Sequence, residues 1–134
     1  MFTYLDKEEI VEINRIITSH YCQPHFLMSE ANLDHALARM RKYCDEIDGE
    51  EERLFRKAAY LLYHLTYDMH VFSDGNKRSA LSATAAFLNA NGYSMRVEGD
   101  LAQEKQAALM KEAAEGKCSL SHLCKWLKKV SVKG

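Results

Sequence analysis

Chain breakers are almost absent from this sequence, which has one proline (Pro24) and 6 glycines in 134 residues. Glycine and proline are the strongest local punctuation a chain carries, so helix is expected nearly throughout, and hydrophobic period places the helices. Helix one is expected from about Lys7 to Ser19, with Asp6 as N-cap and Glu9 three residues on, an acidic relative of the capping box. Its Ile10, Ile13 and Ile17 share a face, with Val11 beside it. Helix two begins after Ser29; Leu33, Leu37, Met40, Cys44 and Ile47 recur at spacings of three and four. DGEEE breaks that pattern. Helix three then runs from about Glu51 to Met69, with Leu54, Ala58, Leu61, Leu65 and Met69 on one face that Ala59 and Leu62 widen, so it should be central. Helix four starts near Asn76 and ends before Gly92, and Ala80, Ala83, Ala85 and Ala86 let its neighbours approach closely. Helix five spans about Asp100 to Ala114, with Gly116 as its stop. Helix six starts near Ser119 and carries Leu120, Leu123, Leu127 and Val130. The only extended candidates are Tyr21 to Phe26 and Tyr93 to Val97, and the final SVKG is expected to fray. The pattern predicts an all-α class of about six helices, with or without one short β-hairpin, as a single domain over residues 1–134.

Composition narrows the function classes. Hydrophobic residues make up 47% and charged residues 28%, a globular balance that argues against disorder. The formal net charge of −1 removes broad attraction to nucleic acid or anionic lipid as the main theme, so no direct nucleic-acid binding is expected. No run approaches the roughly 18 apolar residues of a membrane span. The early acidic N-terminus lacks the basic start of a signal peptide. The expected compartment is cytoplasmic, with Cys22, Cys44, Cys118 and Cys124 as reduced thiols.

Between helices three and four lies HVFSDGNKRSA, His70 to Ala80. Gly75 supplies the backbone freedom for a tight turn. The free N–H groups at the start of helix four, with the helix dipole, form a natural anion site. Lys77 and Arg78 fall in that first turn, where cations oppose the dipole, an arrangement that suits a bound polyanion such as a phosphate chain. Asp74 would repel phosphate unless a Mg²⁺ ion lay between them, and Mg²⁺ commonly takes one or two carboxylates with phosphate oxygens and water. Histidine is the side chain whose ordinary pKa lies near neutrality, so His70 can act as general base toward a hydroxyl. Together these groups describe transfer of a phosphorus group from a nucleotide to a hydroxyl. The same residue types also make an ordinary solvated capping loop, with His70 merely favouring a helix C-terminus.

The stretch resembles the signature of the Fic/Doc family, H-x-F-x-D/E-G/A-N-G/K-R, with His70, Phe72, Asp74, Gly75, Asn76, Lys77 and Arg78 in the defining positions. NLDHALARM, KAAYLLYHLTYDMH, FLNANGY and SLSHLCKWLKK look like helices of its Doc (death-on-curing) branch, so the resemblance covers most of the chain. It implies a compact Fic-type helical bundle with the motif in a central helix–loop–helix. It implies transfer of part of ATP to a protein hydroxyl, with His70 as base, Asp74 as Mg²⁺ ligand, Gly75, Asn76, Lys77 and Arg78 on the phosphates, and Phe72 as the anchor of the loop. Most Fic members attach AMP. Doc-type members move the terminal phosphate to a threonine of elongation factor Tu and act as toxins held by an antitoxin. Lys77 is the Doc form; adenylyl-transferring members usually carry glycine there and often a second arginine where this chain has Leu81. Gly75 is the Fic form, Doc having alanine, and either small residue is expected to fit the turn. Kinase chemistry is thus favoured, with adenylyl transfer as the alternative and a non-catalytic helical binding module as a second. The segment YCQPHFLM is the candidate for the edge hairpin with which the family positions its target, or else an ordinary surface loop.

Other patterns carry less. Ser94 to Gly99 matches the family's inhibitory S/T-x-x-x-E-G, but directly after helix four rather than on a separate helix, and is read as coincidence. His20, Cys22 and His25, with Cys44, could offer zinc ligands at a non-standard spacing. Cys118, His122 and Cys124 read as helix-six residues. Tyr60, Tyr63 and Tyr67 read as helix packing, and Lys125, Lys128 and Lys129 as a solvated face.

Overall fold

Helix α1 (Lys7–His20) starts on a reciprocal cap: Asp6 Oδ1 accepts the Glu9 N–H at 2.8 Å, and Glu9 Oε1 accepts the Asp6 N–H at 3.1 Å. Two donors that a helix start leaves orphaned are thereby satisfied. Helices α2 (Glu30–Lys42) and α6 (Leu120–Val130) begin on Ser29 and Ser119, whose hydroxyls accept the Asn32 and His122 N–H groups. Helices α3 (Glu50–Thr66), α4 (Asn76–Ala90) and α5 (Asp100–Ala114) begin instead on glycines, Gly49, Gly75 and Gly99. This computed structural model describes residues 1–67 and 70–134, so Met69, expected on the apolar face of helix three, lies outside the described residues. Among the described residues there are six helices and one antiparallel pair of three-residue strands, β1 (Tyr93–Met95) with β2 (Ser131–Lys133). The all-α class is as expected. No described helix is long and apolar enough to cross a membrane.

Helix α3 is central. It packs against α2, α4 and α6, and Phe55, Leu61 and Leu62 are essentially sealed from solvent. Burying side chains of this size contributes about 1.5–3 kcal/mol each. Its Lys57 is buried too, with Nζ donating to the carbonyls of Met40 (3.2 Å) and Arg41 (2.8 Å) and to Asp45 Oδ1 (2.7 Å). A lysine from one helix thus adds a charged donor to carbonyls at the C-terminal end of another, which also accept the Tyr43 N–H and the Tyr4 hydroxyl. Tyr67, just past α3, lies over Gly116, where a Cβ would come within 2.5 Å of the ring.

Four local expectations are corrected. The buried face of α1 is Ile10, Asn14 and Thr18, while Ile13 and Ile17 are only partly covered. Helix α2 stops at Lys42, where Tyr43 turns extended (ψ 124) and Cys44 left-handed (φ 60), leaving Cys44 and Ile47 in the following turns despite their apolar period. Tyr21 to Phe26 forms no strand, the pairing there being a single bridge between Leu27 and Phe72. The tail expected to fray is β2 itself, tied by Arg96 N–H to Val130 C=O and by Gly134 N–H to Gly92 C=O (2.9 Å).

Candidate active site

The motif loop joins the end of α3 to the start of α4 and is pinned at its apolar residues. Val71 is wholly buried and Phe72 is 3% exposed, so the loop's middle belongs to the core while the polar residues on either side face outward. The Asn76 amide closes the loop on itself: Phe72 N–H donates to its Oδ1 at 3.1 Å, and its Nδ2 donates to the Phe72 carbonyl at 2.7 Å. The side chain is therefore committed to loop shape, and what Asn76 offers a ligand is its backbone N–H in the first turn of α4. Gly75, the N-cap, is left-handed at φ 75. A Cβ there would lie 3.2 Å from Asn14 Nδ2 and 3.3 Å from Thr18 Cγ2, so alanine would be crowded as well as strained. The expectation that either small residue fits is corrected by this packing against α1.

The charged groups flank that helix start along the chain. His70 is exposed, and its backbone is also left-handed, at φ 44; a non-glycine residue is held there only when its surroundings over-determine it, at a cost of about 1 kcal/mol or more. Asp74 is half-buried, while Lys77 and Arg78 are exposed. The Arg78 guanidinium lies 3.9 Å over the centre of the Tyr21 ring, a cation–π contact that gives the cation a defined resting place. An anion set against this turn would meet orphan N–H donors and the positive end of the helix dipole, in the turn to which Lys77 and Arg78 belong.

Three residues at the site escaped the sequence reading. Asn14, 0% exposed, sends its Nδ2 to the Asp74 carbonyl and to Ser79 Oγ, both at 2.9 Å, while its Oδ1 lies 2.9 Å from His25 Nδ1. His25 also leans toward the Phe72 ring. Tyr21 is the third, through Arg78. The signal for Asn14 was its position, four residues after Ile10 and three before Ile17 on an apolar stripe. The segment YCQPHFLM does lie beside the motif: Met28 N–H donates to Val71 C=O at 2.8 Å and Ser73 N–H to Phe26 C=O at 3.1 Å. Phe26 and Met28 stand exposed on it.

The weaker patterns fall elsewhere. Among the described residues no three His, Cys, Asp or Glu side chains converge, so His20, Cys22 and His25 are not brought together. Ser94 to Gly99 runs from β1 to the N-cap of α5, with Glu98 near Arg96 Nη1 at 3.7 Å. Tyr60 is buried against Tyr43 and His64, as packing predicts. Lys128 is not simply solvated, since it bonds both oxygens of Glu52.

Residues 4–88 match the family described as the Fic/DOC family, a span that includes the whole motif and α1 to α3 with most of α4. The chain is also 32% identical over 123 residues to a protein of Mycolicibacterium smegmatis named Toxin Doc, an alignment covering 92% of this chain and 89% of that one. The similarity thus runs through the helices that build the site as well as through the loop, and on these grounds the chain belongs to the Fic/DOC family.

Proposed function

We propose that the protein is a Doc-type toxin that transfers the terminal phosphate of ATP to a threonine hydroxyl of a translation elongation factor, elongation factor Tu or a close equivalent, and so inhibits protein synthesis. A cognate antitoxin would restrain it. The observation that carries this reading is the helix start at Gly75, whose first turn contains Lys77 and Arg78 and directly follows the loop that bears His70 and Asp74. In this scheme the first turn of α4 and the two cations hold the phosphates, and Asn76 keeps the loop closed. His70 takes the proton from the target hydroxyl as its oxygen attacks the γ-phosphorus, and the bond from that phosphorus to the bridging oxygen breaks to release ADP. The half-buried Asp74 carboxylate suits Mg²⁺, which when bound would offset phosphate charge.

Two observations favour phosphoryl over adenylyl transfer. Lys77 adds a charge where adenylyl-transferring relatives carry glycine, and Leu81, where they often carry a second arginine, packs partly buried against the core. Gly75, the Fic-like feature, is accounted for by its left-handed backbone and by Asn14 and Thr18, and so carries no information about which phosphate is attacked. The experiment is transfer from ATP labelled on the γ- or the α-phosphate to purified elongation factor. Label should arrive from the γ position alone; arrival from the α position would establish the AMP-transferring alternative. His70→Ala should lower transfer by about 10²–10⁴-fold and abolish toxicity in a chain that still melts cooperatively. Toxicity unchanged by that substitution, with neither label moving, would leave a non-catalytic helical binding module.

A further inference from the structure

We propose that Asn14 is a positioning residue that fixes the motif loop from behind, and that His25 extends its grip to the segment Phe26 to Ser29. The inference rests on reading the loop as a phosphate-handling site. Its basis is geometric. Asn14 is 0% exposed and spends its whole amide on three different segments. The NH₂ group donates to the carbonyl of Asp74 and to Ser79 in the first turns of α4, each at 2.9 Å. The oxygen, already assigned as acceptor by those two donations, takes the His25 Nδ1–H at 2.9 Å. Nδ1 must therefore be the protonated nitrogen of a neutral His25, and a charged ring would donate in the same way. The Asp74 carbonyl belongs to the peptide that leads into Gly75, so Asn14 holds the backbone on which both the carboxylate and the anion-binding turn depend. Gly75 lets this happen, because a side chain there would press on the same Nδ2.

A buried hydrogen-bond hub of this kind is costly to leave half-satisfied, yet helix α1 needs nothing from it. Thr18 bonds back to the Asn14 carbonyl, and α1 carries its own cap. An apolar residue at position 14 would serve a helix interface equally well. An amide with donors on one side and an acceptor on the other is needed only to join the loop, α4 and the His25 segment.

Asn14→Asp tests this, since it keeps size and the His25 acceptor but turns an oxygen toward the Asp74 carbonyl. Amide hydrogen exchange should quicken by about tenfold or more at residues 72–79 and stay unchanged in the interiors of α3 and α6. In the γ-label assay kcat should fall by about 10²-fold with the KM for the protein target unchanged. Exchange unaltered in the loop, or raised uniformly through the molecule, would overturn the proposal. Should Asn14→Asp fail to fold, His25→Ala on the surface serves instead. It should quicken exchange at Met28, Ser29 and Ser73, and no change there would overturn the link. The exchange arms read out even if no label is ever transferred, so failure of the proposed chemistry is separable from failure of the positioning role.

Discussion

Asn14 and Lys57 are both sealed from solvent and both hydrogen-bonded at every end that is described, yet they hold different things. Lys57 closes a helix terminus: its partners are two α2 carbonyls and the exposed carboxylate of Asp45. None of these partners belongs to the motif. Asn14 joins three segments, and two of those carry the motif. One buried polar group completes the fold, and the other fixes the backbone of the motif loop. The comparison teaches that burial and full satisfaction alone do not mark a functional residue; what matters is which backbone the group immobilises.

The largest stability effect expected from breaking that comparison is Lys57→Met. It leaves the Met40 and Arg41 carbonyls short of a charged donor, worth about 2–3 kcal/mol. The cost stays below that of severing a fully buried ion pair, because Asp45 returns to water. Denaturant melts should show the loss, and exchange in residues 72–79 should not change. Accelerated loop exchange would show that the two regions are one unit. Gly75→Ala sharpens the contrast from the other side. Its cost should be about 1–2 kcal/mol, from the left-handed backbone, with the loop amides exchanging faster and transfer falling.

The smallest effect belongs to Glu52, which sits between Lys128 at 2.6 Å and Arg56 at 3.1 Å on the surface. Lys128, and after it Arg56, hold its carboxyl below the usual carboxylate range against the opposing pull of burial. Because the folded value is the lower one, the contribution is present above the unfolded pKa of about 4.3 and is lost as pH falls through the folded value. Glu52→Gln should cost about 0.5 kcal/mol at pH 7, less in high salt, and the difference from the parent chain should vanish in acid melts.

Helix existence was legible because it depends on local pattern and caps. Asp6, Ser29 and Ser119 begin their helices where capping chemistry puts them, and Asn76, Asp100 and Ala114 stand at boundaries read from glycines. The motif was legible because its residues are consecutive. Asn14, His25 and Tyr21 were not, since each acquires its role from a partner distant in sequence: Asn14 and Asp74 are 60 residues apart. The overlong reading of helix two has a similar cause. Cys44 and Ile47 are spaced as helix residues, and only the left-handed turn at Cys44 shows that their period continues outside the helix. The strand at Ser131 to Lys133 depends wholly on β1 being there to receive it.

The backbone handedness of His70 bears on how any substitution at that position is to be interpreted. At φ 44 the site admits residues by stereochemistry before it selects them by function. Glycine and asparagine enter that region at little penalty, whereas valine and isoleucine resist it. A branched replacement would distort the backbone leading into Val71 and silence the protein for reasons unrelated to proton transfer. Asparagine, which tolerates the twist and lacks a titratable ring, is the exchange that isolates the imidazole's own contribution.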